Sequence, residues 1–221
     1  DRSVSRGLGD VYKRQIGSSG SCYVFRNCTS LKTLELPEGL TTINNYAFQN
    51  SGLTEITLPA SLTKIGTYAF DGCRDLATVN VYNGGANITS LGSYMFRNCV
   101  SLKSIDLSNA SVATFPTYSF QGCVSLESVR ICSDVKTIGT RAFENCEKLT
   151  EIALPASLTA INAYAFSNTG LREVVIPAGV KVLGTSATSA STTSSAYTFY
   201  NCKNLISVTM PDTLTKIGGY V

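Results

Sequence analysis

Two kinds of side chain in this sequence could take part in chemistry: paired glutamates and repeated cysteines. Glu35 and Glu55 occupy successive copies of a repeated segment, as do Glu151 and Glu173. Two carboxyl groups facing each other across a cleft can act as general acid and base. Here they alternate with threonine and serine, which is typical of solvated strand residues. The sequence has no histidine, which excludes Ser-His-Asp and Cys-His nucleophile systems within it. We therefore predict no catalytic residues and no enzyme activity.

Cysteine occupies one position in six copies of the repeat, three residues after a phenylalanine. These residues are Cys28, Cys73, Cys99, Cys123, Cys146 and Cys202. Two other copies have Ser51-Gly52 and Thr169-Gly170 there, in loops that are one residue shorter. Because residue type follows loop length, we interpret this Cys column as small, buried free thiols that pack the core. Disulfides between neighbouring copies are the alternative, since a spacing of about 5 Å permits them.

A metal or cofactor site is not predicted from these cysteines. Zinc sites built on cysteine use C-x-x-C pairs or histidine partners, and the sequence has neither. Cys22 and Cys132 lie outside the Cys column at variable positions. We expect both to be exposed, and their redox state stays open.

The elements that must position these side chains are copies of one repeat. Phenylalanine recurs at a period near 23 residues, and each copy continues with an aliphatic triplet spaced L-x-x-I-x-L. The eight phenylalanines are Phe25, Phe48, Phe70, Phe96, Phe120, Phe143, Phe166 and Phe199. A period of this length predicts a solenoid, in which each coil contacts only its neighbours.

The triplet predicts one strand in every coil. In the second coil, Leu53, Ile56 and Leu58 should point inward while Thr57 points outward, following the two-residue period of a strand. Stacked coils would then form a parallel sheet with polar outer positions. We predict that the following outward residues form a partner-binding face: Thr33, Glu35, Glu55, Thr57, Thr78, Asn80, Ser104, Asp106, Ser128, Arg130, Glu151 and Glu173.

Two further positions in each coil predict special backbone geometry. The residue two after phenylalanine is always asparagine or glycine, the residue types that tolerate positive φ, so we predict a left-handed turn there. The residue after the second apolar pair is again glycine or asparagine in seven of eight coils. Pro116 is the exception, and we expect a local change of turn at that point.

Tyrosine forms another column, two residues before phenylalanine, with Arg141 as its exception. A half-buried aromatic ladder that belongs to the repeat is the favoured interpretation. A surface on which sugar rings stack is the alternative.

Composition narrows the classes of partner. The formal net charge is +3, of which residues 1–15 contribute +2, so the remainder carries no basic patch suited to nucleic acid. No apolar run approaches 18 residues, so we predict no membrane insertion in this fragment.

We expect two segments. Residues 5–15, SRGLGDVYKRQ, resemble translated sequencing adapter, so 1–15 are interpreted as non-native. Residues 16–221 are predicted to be a single domain of eight coils and a truncated ninth. An insertion loop is expected at 185–196, and a shorter insertion at Tyr82–Ile88. Because both ends interrupt the pattern, self-association through uncapped coils is expected.

The unit YAFxxCxxLxxIxLPxxLxxI, as in Tyr68–Ile88 and Tyr164–Leu183, resembles the BspA-like leucine-rich repeats of bacterial surface antigens. The resemblance implies an α/β-type leucine-rich-repeat solenoid. It would be β-rich and right-handed, with coils of about 23 residues, a parallel sheet on the concave face and short helical turns elsewhere. It also implies a location on the cell surface or in secretion, and binding to host proteins or other cells.

Three functions follow as hypotheses. The first is a surface-exposed or secreted module for protein binding or cell adhesion through the concave face. The second is a fragment of a carbohydrate-active β-helix, which needs an acidic cluster and outward aromatic rings that the sequence does not offer. The third is a passive spacer that carries another domain. A protein partner is favoured, and carbohydrate is the alternative.

Overall fold

A computed structural model describes residues 15–16, 22–81, 87–183 and 196–218 of the chain. Within these ranges the fold consists of fifteen short strands and no helix. The strands are β1 (Gln15–Ile16), β2 (Thr42–Ile43), β3 (Glu55–Leu58), β4 (Lys64–Ile65), β5 (Thr78–Val81), β6 (Ser90–Leu91), β7 (Ser104–Asp106), β8 (Thr114–Phe115), β9 (Ser128–Arg130), β10 (Thr137–Ile138), β11 (Ala160–Ile161), β12 (Glu173–Val175), β13 (Val182–Leu183), β14 (Ser207–Thr209) and β15 (Lys216–Ile217). Most of the two insertions expected at Tyr82–Ile88 and 185–196 lies outside the described residues.

The strands form two rows that run along the solenoid. The outer row contains the triplet strands, paired in the orders β3-β5-β7-β9 and β12-β14. The short-strand row pairs in the orders β1-β2-β4-β6 and β8-β10-β11-β13-β15. Every pair is parallel, as expected when each coil repeats the path of the coil before it.

The predicted alternation of the triplet strand is confirmed. In β3, Glu55 and Thr57 are exposed while Ile56 and Leu58 are buried. In the intact part of the outer row, the same residue of each coil therefore points the same way. Apolar side chains fill the space between the two rows, and polar side chains cover the outer surface.

The centre of the core is a column formed by the eight phenylalanine rings. Successive rings stack with centroids 5.0 to 5.6 Å apart and planes within 12° of each other. Six of the rings, from Phe48 to Phe166, are fully buried. Since burying one such side chain contributes roughly 1.5–3 kcal/mol, this Phe column is a major source of stability.

The turn predicted two residues after each phenylalanine is confirmed in all eight coils. The asparagines there have φ between 56° and 62°, and Gly72 and Gly122 have φ of 72° and 76°. Some of these asparagines also bond to each other between coils. For example, the Asn50 amide donates to Asn27 Oδ1 at 3.1 Å. The position thus supplies both a left-handed turn and an intercoil hydrogen bond.

The expected short helical turns are absent from the described residues, because alternate amides bond to the next coil. Tyr46 N–H donates to Thr67 O at 3.0 Å, and Phe48 N–H donates to Ala69 O at 2.8 Å. The amide between them, Ala47 N–H, instead closes a turn onto Asn44 O at 3.4 Å. A helix would direct all of these amides back along its own segment, so successive turns form instead.

At the position after the second apolar pair, glycine is required for a different reason than at the Asn/Gly turn. Gly66, Gly92 and Gly139 are not among the residues with positive φ. A Cβ on Gly92 would lie 2.2 Å from Thr67 N, and one on Gly139 would lie 2.6 Å from Pro116 C. Glycine is needed there because the neighbouring backbone passes too close for a side chain.

The change of turn expected at Pro116 is not seen, because Tyr118 and Gly122 keep the positive φ of the other coils, but the strand pairing changes here. At this position in other coils, an N–H bonds to the coil before, as Gly92 N–H does to Ile65 O at 2.8 Å. Proline has no N–H to donate. The short-strand row accordingly divides here, because β6 and β8 do not pair.

Candidate functional site

The twelve residues predicted to form the binding face, called here the sheet face, are all exposed. Nine of them lie on strands of the outer row, and the other three, Thr33, Glu35 and Glu151, lie outside assigned strands. The structure brings Glu55, Thr78, Ser104 and Ser128 into one row, because their strands pair at these residues. Parallel strands lie about 5 Å apart, so side chains in such a row are neighbours.

A charged pair occupies the second row of the sheet face. Arg130 is paired in register with Asp106, and its Nη1 lies 3.4 Å from Asp106 Oδ2. The Ser108 hydroxyl and N–H donate to Asp106 Oδ1 at 2.6 and 2.9 Å. Burial raises the pKa of the Asp106 carboxyl, but the bonds from Ser108 and the charge of Arg130 outweigh it, so the pKa is lowered. The carboxylate is therefore held ionised and oriented.

The outer row is interrupted at the sixth coil. Glu151–Leu154 form no strand, and no backbone hydrogen bond joins them to β9 or β12 within the described part of the chain. A groove of about 740 Å³ opens there between β9 and β12. Its floor includes Ile152, Ala153 and Leu154, and we call it the coil-six groove. Ile152 and Leu154 are half-buried, although their equivalents in the second coil are fully buried.

A second interruption lies between the first and second coils. Thr33–Leu36 form no strand, and a groove of about 510 Å³ separates them from β3. Glu35, Glu38 and Glu55 are among the residues that line it. Thr33 and Glu35 therefore do not pair with the second coil, whereas the sequence predicted a continuous sheet.

Both interruptions directly precede the coils with the shorter turn. A Cβ on Gly52 would lie 1.9 Å from Thr29 O, and one on Gly170 would lie 2.3 Å from Glu147 O. The shorter turn thus brings the backbone against the loop of the preceding coil. Thr54 N–H still donates to Lys32 O at 2.9 Å and Arg172 N–H to Thr150 O at 3.1 Å, so pairing with the preceding coil is lost only beyond these residues. The loop-length difference was visible in the sequence, but its effect on strand pairing was not predicted.

The Tyr column is a ladder whose rings cover one another. Tyr68 stacks on Tyr46 and Tyr94 with centroid distances of 4.9 and 4.4 Å and interplanar angles below 10°. The flat ring faces are therefore occupied within the column, which argues against sugar stacking on them. The tyrosines from Tyr46 to Tyr197 have positive φ, between 42° and 61°, which the sequence did not indicate. A bulky residue in this region is strained, and intercoil stacking offsets that strain.

Two polar clusters beside the Tyr column were also missed. Asp71 is buried, and Arg97 binds both of its carboxylate oxygens at 2.8 and 3.0 Å. Gln49 donates to the same carboxylate at 2.8 Å. The Arg97 guanidinium also lies 5.0 Å from the Tyr94 ring centroid. Burial, with the neighbouring hydroxyl of Tyr68, raises the pKa of Tyr94.

The second cluster repeats this arrangement with other residues. Arg141 Nη1 lies 3.0 Å from each oxygen of the buried Glu144 carboxylate. Gln121 donates to Glu144 Oε2. The signal that could have revealed both clusters is the position after phenylalanine, where a glutamine is followed one coil later by an acid in each cluster; Arg97 continues this column, whereas Arg141 comes from the Tyr column. These buried charges are paired, as buried charges must be.

The Cys column is confirmed as a buried packing element through most of the solenoid. Cys73 Sγ donates to Phe48 O at 3.0 Å, and Cys123 Sγ donates to Phe96 O at 3.0 Å. Each thiol therefore bonds to a core carbonyl of an adjacent coil. Burial raises the pKa of Cys73 to about 11 and raises those of Cys99 and Cys146 well above the ordinary value.

Three cysteines differ from the expectation. Cys22 and Cys132 were expected to be exposed, and both are buried. Cys132 lies at the end of a strand, where its side chain turns into the core and its Sγ lies 3.8 Å from Val112 O. Cys28 was expected to be buried and is exposed. Among the described residues, no group of three or more His, Cys, Asp or Glu could hold a metal ion.

Parallel coils, a triplet strand and a stacked core residue define a leucine-rich-repeat solenoid. The profile of the BspA type leucine rich repeat region matches residues 18–88, 85–194 and 192–221, in six copies. The chain belongs to this family, and the resemblance drawn from the sequence is confirmed. The match is to a repeat family rather than to a family of enzymes.

Solved structures agree with this assignment. A leucine-rich repeat protein from Bacteroides ovatus is 23% identical, with a TM-score of 0.52 over 93% of this chain and 66% of that one. A leucine rich repeat protein from T. pallidum is 24% identical, with a TM-score of 0.53 over 84% of this chain and 72% of that one. The chain thus spans just under two thirds of the Bacteroides protein. These likenesses concern the fold.

A search of curated proteins found no match. Within the described ranges, no helix has the length and apolar character needed to cross a membrane.

Proposed function

We propose that this chain is a surface-exposed or secreted binding module that mediates protein–protein contact or cell adhesion through the sheet face. The observation that carries the proposal is the alternation of buried core residues and exposed residues along each outer strand. In β7, Ile105 is buried in the core while Ser104 and Asp106 are exposed. The exposed positions can therefore differ between coils without cost to the fold, as a recognition surface requires.

The intact part of the sheet face supports this function. From β3 to β9, four strands pair without interruption and present short polar side chains in rows. The Asp106–Arg130 pair adds two opposite charges in contact, of which Asp106 is oriented by Ser108. Rigid scaffolds that hold polar groups in fixed positions lose little entropy on binding.

The partner is a protein of a host or of another cell, in keeping with the family resemblance. Carbohydrate is the second class of partner, and a passive spacer is the alternative function. The stacked Tyr column favours protein, because its ring faces are covered by neighbouring tyrosines. A spacer does not depend on the outer side chains, so mutation of the sheet face separates it from a binding module.

Cell adhesion tests the proposal. Fluorescent beads coated with the chain are added to cultured epithelial cells, and bound beads are counted by flow cytometry. The double substitution Ser104→Arg and Ser128→Arg places two large charged side chains at exposed positions of one row. We expect it to abolish adhesion without lowering stability, because neither side chain contacts the core.

The matched control is Asn109→Arg with Ser133→Arg. Both residues are exposed and lie beyond the ends of outer strands, so the control adds the same charge away from the sheet face. Adhesion should persist in this control. Equal adhesion of beads coated with both variants would contradict binding through the sheet face, and no adhesion by the unmodified chain would favour the spacer.

A further inference from the structure

The coil-six groove is the part of the outer row that differs most from a regular leucine-rich sheet. We infer that it binds an extended peptide segment of a partner protein, with apolar side chains and at least one lysine or arginine. This inference rests on the proposed function and names the chemistry of the partner. It depends on three independent features of the groove: its backbone, its apolar floor and its charge.

The backbone that lines the groove at Glu151–Leu154 is not part of the paired sheet. Elsewhere in the outer row, neighbouring strands are paired, as Glu173, Val174 and Val175 are with β14. Glu151–Leu154 make no such bonds to β9 or β12 in the described structure. Peptide groups without partners favour a ligand that supplies N–H and C=O groups at strand spacing. An extended peptide does this, as in other cases of strand addition.

The groove also has outward-facing apolar residues, which the strands from β3 to β9 and the other groove lack. From β3 to β9, the outward positions carry threonine, serine, asparagine and charged residues. At the groove they carry Ala153 and Val175, and Val175 is 64% exposed. Ile152 and Leu154 are partly open to the groove floor. Covering these side chains with apolar groups of a ligand would stabilise the complex.

The charge of the groove selects a cationic partner. Glu151 and Glu173 both line it, and no lysine or arginine is among its described lining residues. Neither glutamate belongs to an ion pair found in the described part of the chain. By contrast, Asp106 on the regular sheet is neutralised by Arg130. Two carboxylates beside an apolar floor match a segment that combines lysine or arginine with apolar residues.

Fluorescence anisotropy tests the inference with a defined probe. The probe is a fluorescein-labelled heptapeptide of alternating valine and lysine, and its competitor is unlabelled chitohexaose. The groove variant is Glu151→Lys with Glu173→Lys. The matched control is Glu35→Lys with Glu55→Lys, which makes the same change of charge at two exposed glutamates of the other groove. A second groove variant, Val175→Lys, blocks an exposed position and leaves the core intact.

The peptide should bind the unmodified chain. Both groove variants should weaken binding by about tenfold, whereas the control should change it by less than about twofold. The same peptide with methyl groups on the backbone nitrogens of its lysines should also bind more weakly, because it has fewer peptide N–H donors. Equal loss in the groove variant and the control would show non-specific attraction and overturn the inference, as would displacement by chitohexaose or absence of binding.

The result is distinguishable from failure of the proposed function. If the peptide does not bind but Ser104→Arg with Ser128→Arg still abolishes cell adhesion, the sheet face binds a partner elsewhere. If adhesion fails and the peptide binds, the groove is a peptide site on a chain that does not mediate adhesion.

Discussion

The guanidinium of Arg141 lies over the ring of Tyr164, with Cζ 4.3 Å from the ring centroid. Arg141 replaces tyrosine at this one position of the Tyr column, and it also lies 5.9 Å from the centroid of Tyr118 on its other side. The planar cation thus fills the place of a missing ring. It has the same positive φ as the tyrosines, 56°.

Arg141→Ala should destabilise the solenoid by about 2–4 kcal/mol. The substitution removes the stacking on Tyr164 and leaves the buried Glu144 carboxylate without its cation. Urea unfolding followed by circular dichroism measures the change. Arg26→Ala is the control, because Arg26 lies over the exposed Tyr23 at 4.8 Å without an ion pair among the described residues. The two variants losing equal stability would contradict the role given to Glu144.

Thiol reactivity tests the Cys column. In native protein, Cys28 should react at once with a thiol reagent, because it is exposed, and Cys202 should react partially. The six buried cysteines should react only after denaturation, since their thiols are enclosed in the core. Reaction of all eight cysteines in the native state would refute the buried column.

Stability should fall at alkaline pH through the same thiols. Burial raises the pKa of Cys73 from 9.0 to about 11, so the unfolded chain loses this proton at lower pH than the native chain. The contribution to stability is therefore complete below about pH 9 and is lost as pH rises towards 11, at about 1.4 kcal/mol per pH unit. Cys73→Ala should reduce the difference in unfolding free energy measured at about pH 8 and about pH 10.5. An unchanged difference in Cys73→Ala would contradict the assignment.

Lengthening the short turn of the seventh coil should close the coil-six groove. Replacing Thr169-Gly170 by Cys-Glu-Lys gives this coil the turn of the sixth coil and removes the close approach to Glu147 O. The outer strands of both coils can then pair in register. Hydrogen–deuterium exchange should show new protection of the amides of Glu151–Leu154. If those amides exchange as fast as before, turn length is not the cause of the interruption.

The parts of the fold that were predictable are those a single coil determines. The alternation of Ile56 and Thr57 follows from strand geometry, and the turn at Asn50 follows from its tolerance of positive φ. The parts that were not predictable arise between coils. Tyr68 has positive φ although tyrosine disfavours it, and at this position its N–H bonds to Ser93 O and its ring stacks on Tyr94 of the next coil.

In the candidate site too, features set by a single coil were predictable and features that arise between coils were not. Exposure of Ser104 and Asp106 followed from their places in the triplet. The interruption at Glu151 depends on the relative lengths of two neighbouring turns, and no property of the sixth coil alone reveals it. Cys132 is likewise buried against the preceding coil, with its Sγ 3.8 Å from Val112 O.

Site-specific photo-crosslinking tests the central claim, that the sheet face is the binding surface, most directly. A photoreactive amino acid is placed at Ser104 on the sheet face or at Asn109 beyond the strand, both exposed positions of one coil. The chain is then irradiated in contact with epithelial cells. We expect covalent adducts with cell-surface protein from position 104 and none from position 109. Adducts from position 109 alone, or in equal amounts from both positions, would contradict the claim.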